Sequence, residues 1–223
     1  MLDGVDVTPL QSFSQHGEDL YLHYLLSDVD RGTYVDVGAW DPDLDSVSKF
    51  FHLRGWRGLH VEPLVEEARA LQKARPDDAV YNGVVGAPGE SSAILYVVHG
   101  TGLSTVDAEL AARHLAHGHM VSKVEVPKQT LDSLFMEFLS DGGPLHWVKI
   151  DVEGAEKEVL EGFNLLRWNP WVICMEAADP ANPAVSTSSL WEHLILSRGW
   201  VLATDDGLNR FYVAPEQAWR VRL

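Results

Sequence analysis

Four short apolar runs in this chain each carry a carboxylate at or beside the C-terminal end. Residues 33–37 contain Asp36 and run into Gly38-Ala39, and residues 58–61 run into Glu62-Pro63. Residues 145–150 run into Asp151, and residues 171–175 run into Glu176. Val, Ile, Leu and aromatic residues dominate these runs, and Gly, Pro or acid bounds them, which is the pattern of buried strands. A further strand is predicted over 79–85. Helical stretches alternate with the strands: 46–54 stopped by Gly55, 65–75 with Pro76 just beyond, 130–139 with Thr130 as N-cap, and 155–160. Strands alternating with helices form a parallel sheet covered on both faces.

The rhythm breaks in the middle of the chain. Residues 93–98 read as an extra strand. Residues 100–122 hold Gly, Ser, Thr and closely spaced His, and read as an inserted loop with a short helix, a lid over about 99–122. Residues 123–126 are another short extended piece. After Glu176 comes a polar linker, 177–187, then a helix near 188–197. Residues 200–203 and 210–213 form a hairpin around Asp205-Asp206-Gly207. The expectation is one domain over 1–223, with about 1–30 as an N-terminal cap segment. A chain of 223 residues buries roughly 70% of its unfolded surface, which suffices for a core without staples. The 46% hydrophobic content and eight Trp exclude disorder.

The charge narrows the partners. Asp plus Glu number 33 against 17 Lys plus Arg, a formal net charge of −16. Nucleic acid and anionic membranes bind through clustered cations, and this sequence has no basic run. No apolar stretch is long enough to span a bilayer, and the N-terminus lacks the basic and apolar regions of a signal peptide. Cys174 is the sole cysteine, so no intrachain disulfide forms. A reducing, cytoplasmic setting is the expectation.

The carboxylates at the strand ends are the candidate site. Asp36 and Gly38 suit a ligand at the carboxyl ends of the strands, Gly38 by allowing close backbone approach. Glu62 ends the second strand, where an acid accepts two hydrogen bonds from a ribose diol. A dinucleotide site wants G-x-G-x-x-G. Here Ala39, Trp40, Asp41, Pro42 and Asp43 follow Gly38. Trp40 blocks a pyrophosphate, and Asp41 and Asp43 repel it, so a ligand without phosphate is expected. The G-x-x-x-x-G-K-[ST] loop is absent as well.

Asp151 and Glu176 end neighbouring central strands. Two carboxylates there suit either a hard cation such as Mg²⁺ or a substrate hydroxyl. Glu153 and Glu156 lie three apart, which puts them on one helix face; an acid near a helix N-terminus is also simply favourable. Lys149 inside a strand is expected to pair with a carboxylate. His114, His117 and His119 do not follow a zinc spacing and read as surface or substrate-facing lid residues. His16, before an apolar helix, belongs to a capping segment or acts as a nearby base.

Taken in order, these pieces resemble the FkbM-type methyltransferases. They are Ser14-Gln15-His16-Gly17-Glu18-Asp19; Tyr34-Val35-Asp36-Val37-Gly38-Ala39 with Asp41-Pro42 and Ser46; and Arg54-Gly55-Trp56-Arg57-Gly58 leading to Val61-Glu62-Pro63. Then come Gly102-Leu103-Ser104-Thr105, Thr130-Leu131-Asp132, Lys149-Ile150-Asp151-Val152-Glu153-Gly154-Ala155-Glu156 with Val159-Leu160, Glu176 and Asn209. The resemblance covers about residues 12–213. Trp40 and the His-rich stretch 113–119 depart from the family pattern. The resemblance implies a class I methyltransferase fold, Rossmann-like, with a mostly parallel seven-stranded sheet, a C-terminal antiparallel hairpin and an inserted lid. It implies S-adenosylmethionine-dependent methyl transfer, usually to a hydroxyl of a sugar or natural product. Asp36, Gly38, Ala39, Glu62, Pro63 and Asn82 fall on or near its cofactor motifs, Asn82 near the adenine edge.

The catalytic candidates are Asp151, Glu176 and His16. A metal is not favoured, because Ala177 and Ala178 follow Glu176 and leave the shell one ligand short unless Glu153 or water fills it. Two rivals stand beside this reading. An NAD-dependent oxidoreductase would bind NAD, not S-adenosylhomocysteine. A silent cofactor-binding domain would bind cofactor and transfer no methyl group.

Overall fold

Residues that alternate between two apolar surfaces build the sheet. Val35 and Val37 belong to one core and Tyr34 to the other; Val148 and Ile150 face one and Trp147 the other; Ile173 and Met175 face one, Val172 and Cys174 the other. Period-2 alternation with both sets apolar means a sheet buried on both faces. The computed structural model describes residues 10–138 and 143–221. Leu139, the last residue of the helix predicted over 130–139, and the first nine residues of the cap segment lie outside the described residues.

In chain order the strands are β1 (Thr33–Val37), β2 (Arg57–Val61), β3 (Ala79–Tyr81), β4 (Val84–Val85), β5 (Ser92–Val98) and β6 (Val121–Gln129). They continue with β7 (Trp147–Ile150), β8 (Val172–Glu176), β9 (Ala178–Asp179), β10 (Asn182–Ser186), β11 (Val201–Asp205) and β12 (Asn209–Val213). The helices are α1 (Glu18–Leu25), α2 (Val47–His52), α3 (Val65–Ala74), α4 (Ala108–Ala116), α5 (Leu131–Phe138), α6 (Glu156–Glu161), α7 (Leu165–Trp168) and α8 (Glu192–Leu196). The main sheet has seven strands in the order β11-β12-β8-β7-β1-β2-β3. β12 runs antiparallel to both its neighbours, and the remaining pairs are parallel.

α1 and α2 cover one face with Leu22, Leu25, Phe50 and Phe51. α5 to α8 cover the other with Leu134, Phe135, Val159, Leu165 and Ile195. β1 is paired on one side with β2 and on the other with β7. The chain therefore reverses its direction of travel across the sheet beside β1, where α/β sheets open a ligand crevice.

The structure redraws several expected elements. The predicted strand 79–85 is broken at Asn82-Gly83 into β3, in the main sheet, and β4, in a small sheet ordered β4-β6-β5. The Asn82 amide donates to the carbonyls of Glu62 and Pro63, each at 3.0 Å, turning the chain. A side chain at Gly83 would meet the Pro127 carbonyl at 2.6 Å.

The short piece at 123–126 is the middle of β6, which pairs antiparallel with β5 from Ser92↔Pro127 to Val98↔Val121. The insertion is thus a hairpin with α4 at its tip. The expected polar linker 177–187 holds the short β9–β10 pair. The helix expected near 188–197 is a 3-10 turn, Ser188–Leu190, followed by α8. Thr130 caps α5, its Oγ1 accepting from Ser133 N at 3.1 Å.

Candidate active site at the strand ends

A cavity of about 300 Å³ opens at the carboxyl ends of β1, β2 and β7, roofed by residues 101–106 of the insertion. Its floor depends on one close approach. Gly38 has φ 79°, and a Cβ there would lie 1.8 Å from the Asp151 carbonyl oxygen. No other residue fits where β1 and β7 end together.

Glu62 is 3% exposed at the cavity wall. Its Oε2 accepts from Trp40 N at 2.9 Å and its Oε1 from Leu64 N at 2.8 Å. Burial pushes its carboxyl up to about 7, against the pull of the two amides. Each oxygen keeps a lone pair for a further donor. Trp40 adopts φ 47° and lays its indole against the Gly102 backbone. That contact joins the turn after β1 to the roof.

The other end of the cavity is a carboxylate cluster. Asp151 Oδ2 accepts from Lys149 Nζ at 2.7 Å. Burial alone would discharge Lys149, but Asp151 and Asp36 outweigh it and hold the ammonium above the ordinary lysine range. Glu153 does not share a helix face with Glu156. Glu153 at φ 55° and Gly154 at φ 98° form a left-handed turn ahead of α6. Thr105 Oγ1 fastens the turn by donating to the Glu153 carbonyl at 2.7 Å. Glu156 Oε1 accepts from Gly154 N at 3.1 Å and Val152 N at 3.3 Å, so it braces the turn. Burial raises its carboxyl to about 7.

The turn brings oxygens of Asp151, Glu153 and Glu176 within 4.8 Å of one another. Burial first, then the neighbouring acids, push Glu153 and Glu176 well above the ordinary carboxylate range.

One family model matches the chain, the methyltransferase FkbM domain, over residues 36–199. The chain belongs to the FkbM methyltransferase family. It is a methyltransferase by that membership, and its mostly parallel seven-stranded sheet is the Rossmann-like frame expected of one. No curated protein and no solved structure matches it. Among the described residues no helix is long and apolar enough to cross a membrane.

Asp36, Gly38, Ala39, Glu62, Pro63 and Asp151 all line the cavity of this FkbM methyltransferase, whereas Asn82 and His16 do not. Asn82 is exposed and bonds backbone behind Glu62. His16 is exposed too, and its amide donates to Glu18 Oε2 at 2.8 Å. Glu176 sits beside the cavity, in contact range of Asp151 and Glu153. His114 is neither a surface nor a substrate-facing residue. It is 1% exposed on the inner face of α4, edge-on to His119, because it shares that face with Leu110 and Ala111.

Sequence reasoning missed Gln15, Glu18 and residues 101–104 as lining. Glu18 is 3% exposed, and its Oε1 accepts from Asn209 Nδ2 at 3.0 Å. The motif around residue 16 and the late Asn209 were both legible, but not that they meet.

Proposed function

We propose that this methyltransferase binds S-adenosylmethionine and methylates a hydroxyl of a small molecule, a sugar or natural product. What carries the reading is one cavity with a buried, incompletely used carboxylate at one end and an acidic cluster at the other. Glu62 suits a ribose diol: both its oxygens are fixed by backbone amides and both retain acceptor capacity. Gly38, Ala39 and Pro63 leave room for the nucleoside, Asn82 positions the turn behind Glu62, and Asp36 adds negative charge. S-adenosylmethionine, when bound, supplies an electrophilic methyl group on a cationic sulfur.

The chain's own residues then position and desolvate the acceptor. With S-adenosylmethionine held by Glu62 and the turn at Gly38, the acceptor oxygen would take the methyl group and the sulfur would keep the electron pair of the broken carbon–sulfur bond. The acidic cluster takes up the hydroxyl proton or polarises the hydroxyl. His16, exposed and outside the lining, has no proton-transfer role in this reading.

The test is calorimetric titration with S-adenosylhomocysteine and, separately, with NAD. Binding of the first alone is expected, and binding of NAD alone sinks the reading. Binding without transfer to any sugar or polyketide hydroxyl in a broad acceptor panel would point to a silent domain.

A further inference from the structure

Glu153 Oε2 and Glu176 Oε2 are completely buried and have no hydrogen-bond partner. A buried carboxylate oxygen without a donor is costly, and two of them facing a third carboxylate are costlier still. Lys149 does not relieve them, since its ammonium engages Asp151 Oδ2. Among the described residues no other ammonium or guanidinium bonds to the three acids. A proton shared between Asp151 and Glu176 would satisfy that pair and leave Glu153 orphaned. One ion between the three satisfies all of them.

The spacing fits an ion. Oxygens bound to one hard cation at about 2.0–2.6 Å are at most about 5 Å apart, and the three groups here lie within 4.8 Å. An all-oxygen set suits Mg²⁺ or Mn²⁺ over softer ions. Lys149 leaves Asp151 Oδ1 free and fixes the carboxylate's orientation, as an outer partner of a metal ligand does. Ala177 and Ala178, which follow β8, therefore do not leave the shell short, because the left-handed turn swings Glu153 into it.

We propose that Asp151, Glu153 and Glu176 bind one divalent hard cation at the acceptor end of the cavity. Asp151 and Glu153 line the cavity, so the open coordination positions face the ligand space and accept a hydroxyl oxygen. The ion's part in methyl transfer rests on the function proposed above; its binding does not.

Mn²⁺ alone is titrated into the purified chain, and free ion is read by electron paramagnetic resonance. One saturable site is expected, displaced by Mg²⁺. It should weaken by at least about tenfold in Glu153→Gln and in Glu176→Gln, with circular dichroism unchanged. No saturable binding to the folded wild type overturns the proposal, as does binding unaltered in both variants. If the variants fail to fold, Fe²⁺ with ascorbate and peroxide maps the site on the wild type. Cleavage near residues 151–153 and 176, suppressed by Mg²⁺, supports it, and cleavage elsewhere overturns it. Neither assay contains cofactor or acceptor, so a failed transferase reading cannot pass for a failed metal site.

Discussion

At the residue scale, Glu62 and Gly38 carry the sharpest expectations. Glu62→Ala removes the acceptor for charge-assisted bonds and should weaken S-adenosylhomocysteine binding by about 1–3 kcal/mol, measured by calorimetry. Glu62 also ties stability to pH. Its folded carboxyl is raised to about 7, above its value in the unfolded chain. The folded state therefore holds the proton longer, and the associated stability is complete in acid and lost as pH rises through about 7. Unfolding by urea without ligand should show stability falling between about pH 5 and pH 7.5, and Glu62→Gln should flatten that fall by roughly 2–4 kcal/mol. An unaltered slope in the variant would refute the assignment. Gly38→Ala faces both a backbone oxygen and a left-handed φ, so a loss of more than about 2 kcal/mol is expected in the same unfolding assay.

At the element scale the insertion matters most. α4 is held to the β9–β10 pair by Arg113, whose two guanidinium nitrogens donate to Asp179 at 2.9 and 2.6 Å. Asp107 caps its first turn by accepting from Glu109 N and Leu110 N. The roof at 101–106 is fastened by the Tyr96↔Thr105 bridge, by bonds of Thr101 and Ser104 to the Val98 backbone, and by the Thr105 bond to Glu153. Asp179→Ala should change global stability by less than about 1 kcal/mol, because the pair is exposed. It should nevertheless speed hydrogen exchange in α4 measurably, read by mass spectrometry, while β7 and β8 stay slow. Equal exchange in variant and wild type would show that the ion pair does not latch the helix.

At the scale of the molecule, the segment before α1 and strand β12 meet beside the site. Asp19, fully buried, gathers Ser12 Oγ, Phe13 N and Ser14 Oγ at 2.7, 2.6 and 2.9 Å, folding the segment before α1 into a compact turn. Glu18 then reaches Asn209 on β12, 191 positions along the chain. Asn209→Leu leaves a buried carboxylate short of a donor. A cost of about 1–3 kcal/mol is expected in urea unfolding, together with weaker ligand binding, because Gln15 and Glu18 line the cavity.

The sequence alone determined the sheet, since a buried strand must be apolar on both faces and must stop at Gly, Pro or acid; β1, β2, β7 and β8 are where those rules put them to within two residues. It also placed Asp36, Gly38, Ala39, Glu62, Pro63 and Asp151 around one crevice, because strand ends of a parallel sheet converge by topology. The break after β3 was invisible to it, since it depends on Asn82 bonding carbonyls that lie 19 and 20 positions earlier in the chain. The full length of β6 was hidden in the same way: only 123–126 read as extended, and pairing with β5 and β4 carries the strand from Val121 to Gln129. Glu153 shows the limit most plainly. Helical spacing assigns it to the side of Glu156, but a left-handed turn, braced by Glu156 and held by Thr105 from the insertion, turns its backbone the other way and sets its carboxylate against Asp151 and Glu176. Local patterning fixes which strands form; long-range bonds decide where their loops point the acids.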